Sequence, residues 1–402
     1  MNKSAPSLTR AAKKSIDLRA SHEVFNSTDS SSCVYRPTWI EIDLKALARN
    51  LTKLKNLFKS SKTRVLAVVK AQAYGHGSVR IAKCLEKKGV SFFGVSSIEE
   101  GIVLRESGIK GDILILSSLY PFEPAFKACF KWKLTPTISS LAAVKELERF
   151  MASNGQHGKL SVHLKMETGM NRIGAKPHAL STIVPVVKRI PKVSIGGVYT
   201  HFATARDIVL TKNQLEEFKK GIEPLRKNGL DNAVMLHCAN STATLRYPET
   251  HMDMVRSGIA LYGGMDPFEP IARLKTKIVF LKKVPSGTSI GYRNTFVTSR
   301  ESMVATLPVG YGDGLFISAS NKCFVLLKGK KVPVCGLISM DMIMIDVTDI
   351  SSAKVGDIVT VIGRDGDSVV HPRDWARWAN RGSVYEVMSR LGGTRTPRFY
   401  TD

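Results

Sequence analysis

At 402 residues and 44.2 kDa the chain is too long for one small core, and at roughly 100 to 200 residues per domain it divides into about two domains. Hydrophobic residues make up 43% and charged residues 23%; this is a globular balance that excludes a fibrous or wholly disordered chain, and no apolar run approaches the roughly 18 to 20 residues of a membrane span. Lys plus Arg number 59 against 34 Asp plus Glu, a net +25, but the cations recur along the whole chain with no zinc-finger spacing, RNP-like run or basic zipper, so a solvated basic surface and anionic small-molecule substrates are expected, with no nucleic acid and no membrane as partner.

Residues 1–35 are Ser-rich and basic, with Lys3, Arg10, Lys13, Lys14 and Arg19 but no apolar stretch of signal-peptide length. They read as a disordered tail rather than an address for export, and Asp17, Glu23 and Asp29 dilute any resemblance to an organellar transit peptide. From Arg36 the pattern turns globular. Thr38 to Ile42 alternates like a strand, and Asp43 caps a helix that sets Leu44, Leu47, Leu51 and Leu54 on one face.

Eight apolar runs follow: Val65 to Lys70, Val90 to Ser96, Asp112 to Ser118, Leu134 to Ser139, Lys159 to Glu167, Val193 to Ala203, Ala233 to Ser241 and Met254 to Gly263. Helical stretches lie between most of them, among them Val79 to Lys88, Ser97 to Ser107, Ser140 to Ala152, His178 to Arg189 and Gln214 to Lys227. Eight alternating units over about 220 residues suit a (β/α)₈ barrel. A doubly wound open sheet is the alternative, but no GxGxxG follows a strand. Near Ile271 the rhythm changes to closely spaced β-type runs, Lys277 to Lys283, Met303 to Leu307, Phe324 to Leu327, Met342 to Val347 and Asp357 to Ile362, before helical stretches return at Trp375 to Ala379 and Val384 to Leu391. The expected architecture is α/β: a barrel over 36–275, in which residues 36–43 can instead add a strand to the second domain, and a mostly-β domain over 276–402. Six scattered cysteines (Cys33, Cys84, Cys129, Cys238, Cys323, Cys335), none in CxxC, fit reduced thiols and a cytoplasmic location. No metal site is expected.

A barrel carries its chemistry at the C-terminal strand ends, and here those ends are polar. Lys70 meets the loop Ala71-Gln72-Ala73-Tyr74-Gly75-His76-Gly77; a desolvated lysine there would have a lowered pKa and suit Schiff-base or general-base work, although a snorkelling lysine is the commoner case. Other ends supply Lys165 to Arg172, His201, Asn240-Ser241 and Arg256 to Ile259. Taken singly, His201 reads as a structural histidine and Asn240-Ser241 as a turn or cap. Together they offer cations, an imidazole and small hydrogen-bonding groups on one face, as a phosphate-bearing cofactor with an anionic substrate requires.

The run Ala67 to Gly77 (AVVKAQAYGHG) closely resembles the cofactor-lysine motif of the pyridoxal-phosphate alanine racemases. Leu164 to Gly174, Thr200 to Ala205, Arg256 to Gly263, Gly291-Tyr292, Gly310 to Gly314, Ser339-Met340-Asp341 and Tyr385-Glu386-Val387 are similar to that family in order and spacing, from about Arg36 to Tyr400. The resemblance implies a barrel that holds pyridoxal 5'-phosphate, a C-terminal β domain, and a homodimer whose active sites are shared between chains.

By the same resemblance Lys70 links to the cofactor and serves as base for the D-enantiomer, while Tyr292 of the partner subunit serves the L-enantiomer. Racemisation needs two acid/base groups because the proton leaves one face of Cα and returns to the other. Arg256 would hydrogen-bond the pyridine nitrogen without giving up its own proton, with His201 beside it. Tyr74, Asn240, Ser241, the backbone of Gly258 and Ile259, and Tyr385 would hold the cofactor and its phosphate. Arg172 and the Met340 backbone would meet the substrate carboxylate, and Lys165 matches a position that can be carbamylated.

The implied activity is interconversion of L- and D-alanine for peptidoglycan. Departures stand at Arg206, Ile317 and Leu337, where the family usually has Asp, Arg and Arg along its entrance corridor, so a broader racemase or one for serine or basic amino acids is the rival reading. A related decarboxylase is disfavoured by Gly291-Tyr292 and Arg256, and a single-barrel cofactor carrier by the extra β domain.

Overall fold

The computed structural model describes residues 35–153, 158–380 and 383–402, so the expected tail, Tyr35 excepted, lies outside the described residues. The first strand, β1 (Thr38–Asp43), buries Thr38, Ile40 and Ile42 and leaves alternate residues half exposed, the period of a strand covered on one face. Asp43 accepts from the backbone N–H of Ala46 at 2.8 Å, capping the helix Leu44–Lys55, whose leucine stripe is buried.

The eight strand positions that follow are β2 (Arg64–Val68), β3 (Phe92–Val95), β4 (Asp112–Ile115), β5 (Leu134–Thr135) with β6 (Thr137–Ile138), β7 (Leu160–Lys165), β8 (Val193–Tyr199), β9 (Met235–His237) and β10 (Met254–Ser257). They form two parallel sheets, β10-β2-β3-β4-β5 and β6-β7-β8-β9, which meet at two seams. At the first, the extended stretch 134–138 is interrupted at Pro136, which lacks an N–H but whose carbonyl accepts from His163 N at 3.0 Å. At the second, Asn240 and Arg256 form a parallel bridge, and Arg256 N donates to Ala239 O at 2.9 Å. Helices occupy the connections between strands, so this is the barrel architecture the alternation implied.

Several boundaries differ from the sequence reading. The run from Met254 stays a strand only to Ser257, because the chain must turn where a Cβ on Gly258 would lie 2.7 Å from the Tyr74 hydroxyl. The helix expected from Gln214 begins at Ile208, capped by Asp207, whose carboxylate accepts from Leu210 N at 3.0 Å; its first turn, Ile208-Val209-Leu210, is exposed and carries no amphipathic signal. A helix at Phe122–Lys131 was not anticipated.

The rest of the chain builds a ten-stranded sheet from β11 (Ala272–Lys277), β12 (Phe280–Val284), β13 (Ser302–Leu307), β14 (Phe324–Leu327), β15 (Lys330–Cys335), β16 (Ile343–Asp346), β17 (Ile358–Asp365), β18 (Ser368–Val370), β19 (Arg398–Thr401) and β1. Within it β1 lies between β11, antiparallel, and β19, parallel. The consequence for the site is mechanical. From β19, Arg398 Nε donates to Gly75 O at 2.8 Å and the Tyr400 hydroxyl to His76 O at 3.0 Å, so the last strand grips the loop that carries Lys70.

Candidate active site

The strand β2 ends at Val68 rather than at Lys70. Lys70 instead opens the turn Lys70–Gly75, in which Ala71, Gln72, Ala73 and Tyr74 all have φ between 50° and 54°. A left-handed turn costs an L-residue about 1–2 kcal/mol, so four in a row persist only when held from outside. Glu100 accepts from Ala71 N and Ser96 N, both at 2.7 Å; Arg398 and Tyr400 hold the far end. The result projects Lys70 and Tyr74 from one rigid loop.

Lys70 is half-buried, and its pKa is lowered first by burial and then by the charge of Arg172, with Glu100 opposing. The Tyr74 ring lies 5.2 Å from that of Tyr262 and 5.9 Å from that of Tyr385, which the helix Val384–Ser389 brings in from the second domain. Beside Tyr74, the Ser241 hydroxyl accepts from Gly258 N at 3.1 Å and Ala260 N at 3.4 Å. Tyr74 packs where a Cβ on Gly258 would lie, 2.7 Å from its hydroxyl, so two phenols and a serine hydroxyl that already accepts from two backbone N–H groups come together at this turn. These are neutral donors suited to a phosphate. Asn240 points its side chain elsewhere: it caps the helix Ser241–Arg246 by accepting from Ala243 N at 3.0 Å.

On β10, Arg256 is only 4% exposed. Its guanidinium donates to the carbonyls of Thr200 (2.6 Å), His237 (3.0 Å) and Cys238 (3.0 Å), to His237 Nδ1 at 2.9 Å and, at 3.4 Å, to His201 Nδ1. Among the described residues no carboxylate pairs with it. Behind it His237 Nε2 meets His163 Nδ1 at 3.0 Å. Burial, then Arg256, pushes His163 down to about 3 and holds His237 and His201 well below 6.5, so all three rings are neutral near pH 7. Lys165, at the end of β7, is pushed down to about 8 by burial and then by Arg172 and Arg256. Glu167, two residues on, spends its carboxylate on the backbone N–H groups of Asn171, Gly169 and Met170.

The structure thus brings together Lys70, Tyr74, Lys165, His201, Ser241, Arg256, Gly258, Ile259 and Tyr385, with exposed Arg172 close enough for its charge to act on Lys70, Lys165 and His201. It does not bring Tyr292 or Met340 to them within one chain. Tyr292 opens a 3₁₀ turn at 71% exposure and Met340 is 52% exposed; the Met340 carbonyl accepts from Gly312 N at 3.0 Å and from Arg395 at 3.1 Å. Arg206, at the mouth, lies near Tyr385 and acts on its phenol. Sequence reasoning left out Glu100, His163, His237 and Tyr199, whose ring stacks on His237 at 4.8 Å. A signal for two of these was present: His163 and His237 stand at polar ends of otherwise apolar runs.

The residues fit pyridoxal phosphate. Lys70, with its pKa lowered, can attack an aldehyde, neutral hydroxyl donors stand together at Tyr74, Ser241 and Tyr385, and the buried Arg256 guanidinium has no carboxylate partner among the described residues. Fold and site together define a barrel enzyme with a lysine-centred site for an anionic cofactor and substrate.

Known proteins narrow the class. The N-terminal domain model of alanine racemase matches residues 42–266, and the C-terminal domain model matches 271–400. The chain is 39% identical to the alanine racemase of Thermodesulfovibrio yellowstonii, over 88% of this chain and 95% of that one. It is also 39% identical to the alanine racemase of Halothermothrix orenii, over 91% and 97%. Among solved structures, the alanine racemase of Bacillus anthracis with bound L-Ala-P superposes with a TM-score of 0.85 at 31% identity, covering 92% of this chain and 96% of that one. The alanine racemase of Clostridium difficile 630 gives 0.84 at 34%, covering 92% and 97%. The chain belongs to the alanine racemase family.

Proposed function

We propose that the chain interconverts L- and D-alanine with pyridoxal phosphate, as a cytoplasmic homodimer whose two active sites each draw on both subunits. The observation that carries the reading is Arg256: its buried guanidinium is held by the carbonyls of Thr200, His237 and Cys238, reaches His201 Nδ1 at 3.4 Å and pairs with no carboxylate among the described residues. With Lys70 and Arg172 acting on the same imidazole, this uncompensated charge calls for anions, which a cofactor phosphate and a substrate carboxylate would supply.

When bound, pyridoxal phosphate offers an aldehyde for covalent attachment of an amine and an electron sink that acidifies the proton on Cα. Lys70 is the group for that attachment, and its lowered pKa leaves it able to take and return a proton on one side of Cα. Arg256, fixed by three carbonyls, would face the pyridine nitrogen as a donor that keeps its proton. Tyr74, Ser241, Gly258, Ile259 and Tyr385 would seat the phosphate; Arg172 would orient the carboxylate. The exposure of Tyr292 and Met340 supports a second copy, because the opposite face of Cα needs its own acid/base group and the partner's Tyr292 provides one. The two matched regions support a division into a barrel lobe and a β lobe near residue 270, slightly before the boundary drawn at 275.

The test is loss of the Cα proton signal by NMR in D₂O, with cofactor-loaded protein and alanine, serine, lysine or arginine of one configuration, followed by chiral analysis of each product. Exchange and racemisation confined to alanine is the expected outcome. Comparable exchange of the others would assign a broader racemase, with Arg206, Ile317 and Leu337 as the residues to revert.

A further inference from the structure

From Leu44 to Leu85 the sequence carries ten Lys or Arg and no Asp or Glu. Along the chain these cations look evenly spread; the fold gathers many of them. The helix Leu44–Lys55 runs into β2 and the helix Ser78–Lys87 into β3, so both end at the N-terminal rim of the barrel, opposite Lys70. Lys55, Lys59 and Lys62 precede β2 and Arg64 opens it, Lys87 and Lys88 precede β3, and all six are exposed. Beside them is a cleft of about 490 Å³ lined by Arg49, Lys53, Lys55 and Lys88.

Cations at helix C-termini are ordinary, since each end carries about half a negative charge. Two helix ends therefore call for about one cation, and six exposed ones stand here. Most carboxylates at this rim are occupied: Glu86 accepts from the backbone N–H of Lys110 and Gly111, Glu269 is held by Arg49 and Asp253 accepts from Leu236 N, while Asp112 at the start of β4 is exposed. No ion pair among the described residues involves Lys59, Lys62 or Lys87. The same rim continues at Lys131 and Lys133, exposed on either side of half-exposed Trp132, with Lys131 Nζ 5.2 Å from the centre of the indole.

We infer that this rim is a docking surface for an anionic phospholipid bilayer, bound reversibly with the mouth at Lys70 on the side away from the bilayer. The tips of a barrel's connections lie roughly in a plane, which matches a membrane rather than a rod of duplex. The cations are mostly lysines, hydrated point charges that suit a diffuse anionic surface, not the planar forks that read bases or clamp single phosphates. Trp132 between two lysines is the amphipathic kind of ring that settles at headgroup depth. Phe58, the aromatic residue among the cations before β2, packs against His251 at 5.5 Å instead of offering a face for base stacking. The expectation of no membrane partner rested on the lack of a spanning apolar run and on charge counted along the chain; the grouping of the cations at one rim is the ground for departing from it.

The experiment is sedimentation of the full-length, cofactor-loaded protein with vesicles of one part phosphatidylglycerol to two of phosphatidylcholine, against phosphatidylcholine alone. The wild type is expected to sediment with the anionic vesicles and to be released by salt. The variant Lys59→Glu, Lys62→Glu, Lys87→Glu should partition about a hundredfold more weakly, at roughly fivefold or more per lysine, with its alanine racemisation unchanged as proof of folding. A control of equal charge, Lys322→Glu, Lys330→Glu, Lys331→Glu on the β lobe, should sediment like the wild type. Equal loss in both variants, or no preference for the anionic vesicles, would overturn the proposal. So would tighter retention on duplex DNA than on vesicles at equal phosphate, which would reassign the rim to nucleic acid.

Discussion

Nη1 of Arg256 donates to Nδ1 of His237 at 2.9 Å, and that contact sets the protonation of the row behind it. If Nδ1 of the neutral His237 accepts, its proton sits on Nε2, which donates to His163 Nδ1 at 3.0 Å. The guanidinium is thus seated by acceptors that carry no formal charge, and its own charge stays available at the mouth. Replacing His237 by Phe would keep the stack on Tyr199 while removing a hydrogen bond to a charged group and orphaning His163. The expected loss of unfolding free energy is about 2–3 kcal/mol, measured by urea denaturation. In a cycle with His163→Phe the two losses should add to more than that of the double variant; strict additivity would mean that the row does not act as a unit.

A second histidine sets a pH limit. His76 is fully buried, with its ring stacked 4.9 Å from that of Tyr262, Nδ1 2.9 Å from Ala73 O and no partner at Nε2. Burial pushes it down to about 4. Its folded pKa lies below the unfolded value near 6.5, so the unfolded chain binds the extra proton first. The stability held by the neutral ring is complete above pH 6.5 and is lost as pH falls toward 4. Two and a half pH units correspond to roughly 3.5 kcal/mol at about 1.4 kcal/mol per unit. Urea midpoints of the wild type should fall across that window. His76→Asn, which can still donate to Ala73 O, should show a slope smaller by about one proton.

The barrel was legible because alternation of apolar runs and amphipathic helices is a chain-wide signal, and Lys70, His201 and Arg256 were legible as polar ends of apolar runs. The shape of the Lys70 loop was not. Ala71, Gln72 and Ala73 have no sequence preference for left-handed φ, and what holds them there is Glu100, Arg398 and Tyr400, the last two more than 300 residues away along the chain. The strand β15 was missed because exposed Lys330, Lys331 and Pro333 hide its buried Val332 and Val334. The gathering of lysines at the barrel base escaped notice for the same reason: it exists only once separate helices end at one rim.

The proposed sharing of the site between subunits predicts complementation. Lys70→Ala and Tyr292→Phe should each abolish most activity alone. Mixed and allowed to exchange, half of the dimers would be hybrids, and each hybrid would pair one intact Lys70 with one intact tyrosine from the other chain. Activity should recover to about a quarter of wild type under two-fold symmetry. If the mixture stays as inactive as its components after exchange has been verified by mass, Tyr292 acts within its own chain or not at all.

Lys165 gives the sharpest chemical prediction. It is buried, its Nζ lies 5.4 Å from the centre of the Tyr199 ring, and burial, then Arg172 and Arg256, push it down to about 8. A cation in that position adds to the charge of Arg172 and Arg256, whereas a carbamate formed with carbon dioxide would turn it into an anion between them. Only the neutral amine reacts, so uptake should rise as pH passes through 8, where an ordinary surface lysine would wait for about pH 10. In ¹³C-bicarbonate at pH 8.5 the wild type should show one carbamate carbon resonance per chain, weaker at pH 6.5 and absent from Lys165→Ala. The same variant should bind alanine more weakly, because Arg172 loses the anion that steadies it. No resonance at pH 8.5 would leave Lys165 as an unmodified buried amine and Arg172 positioned by the substrate carboxylate alone.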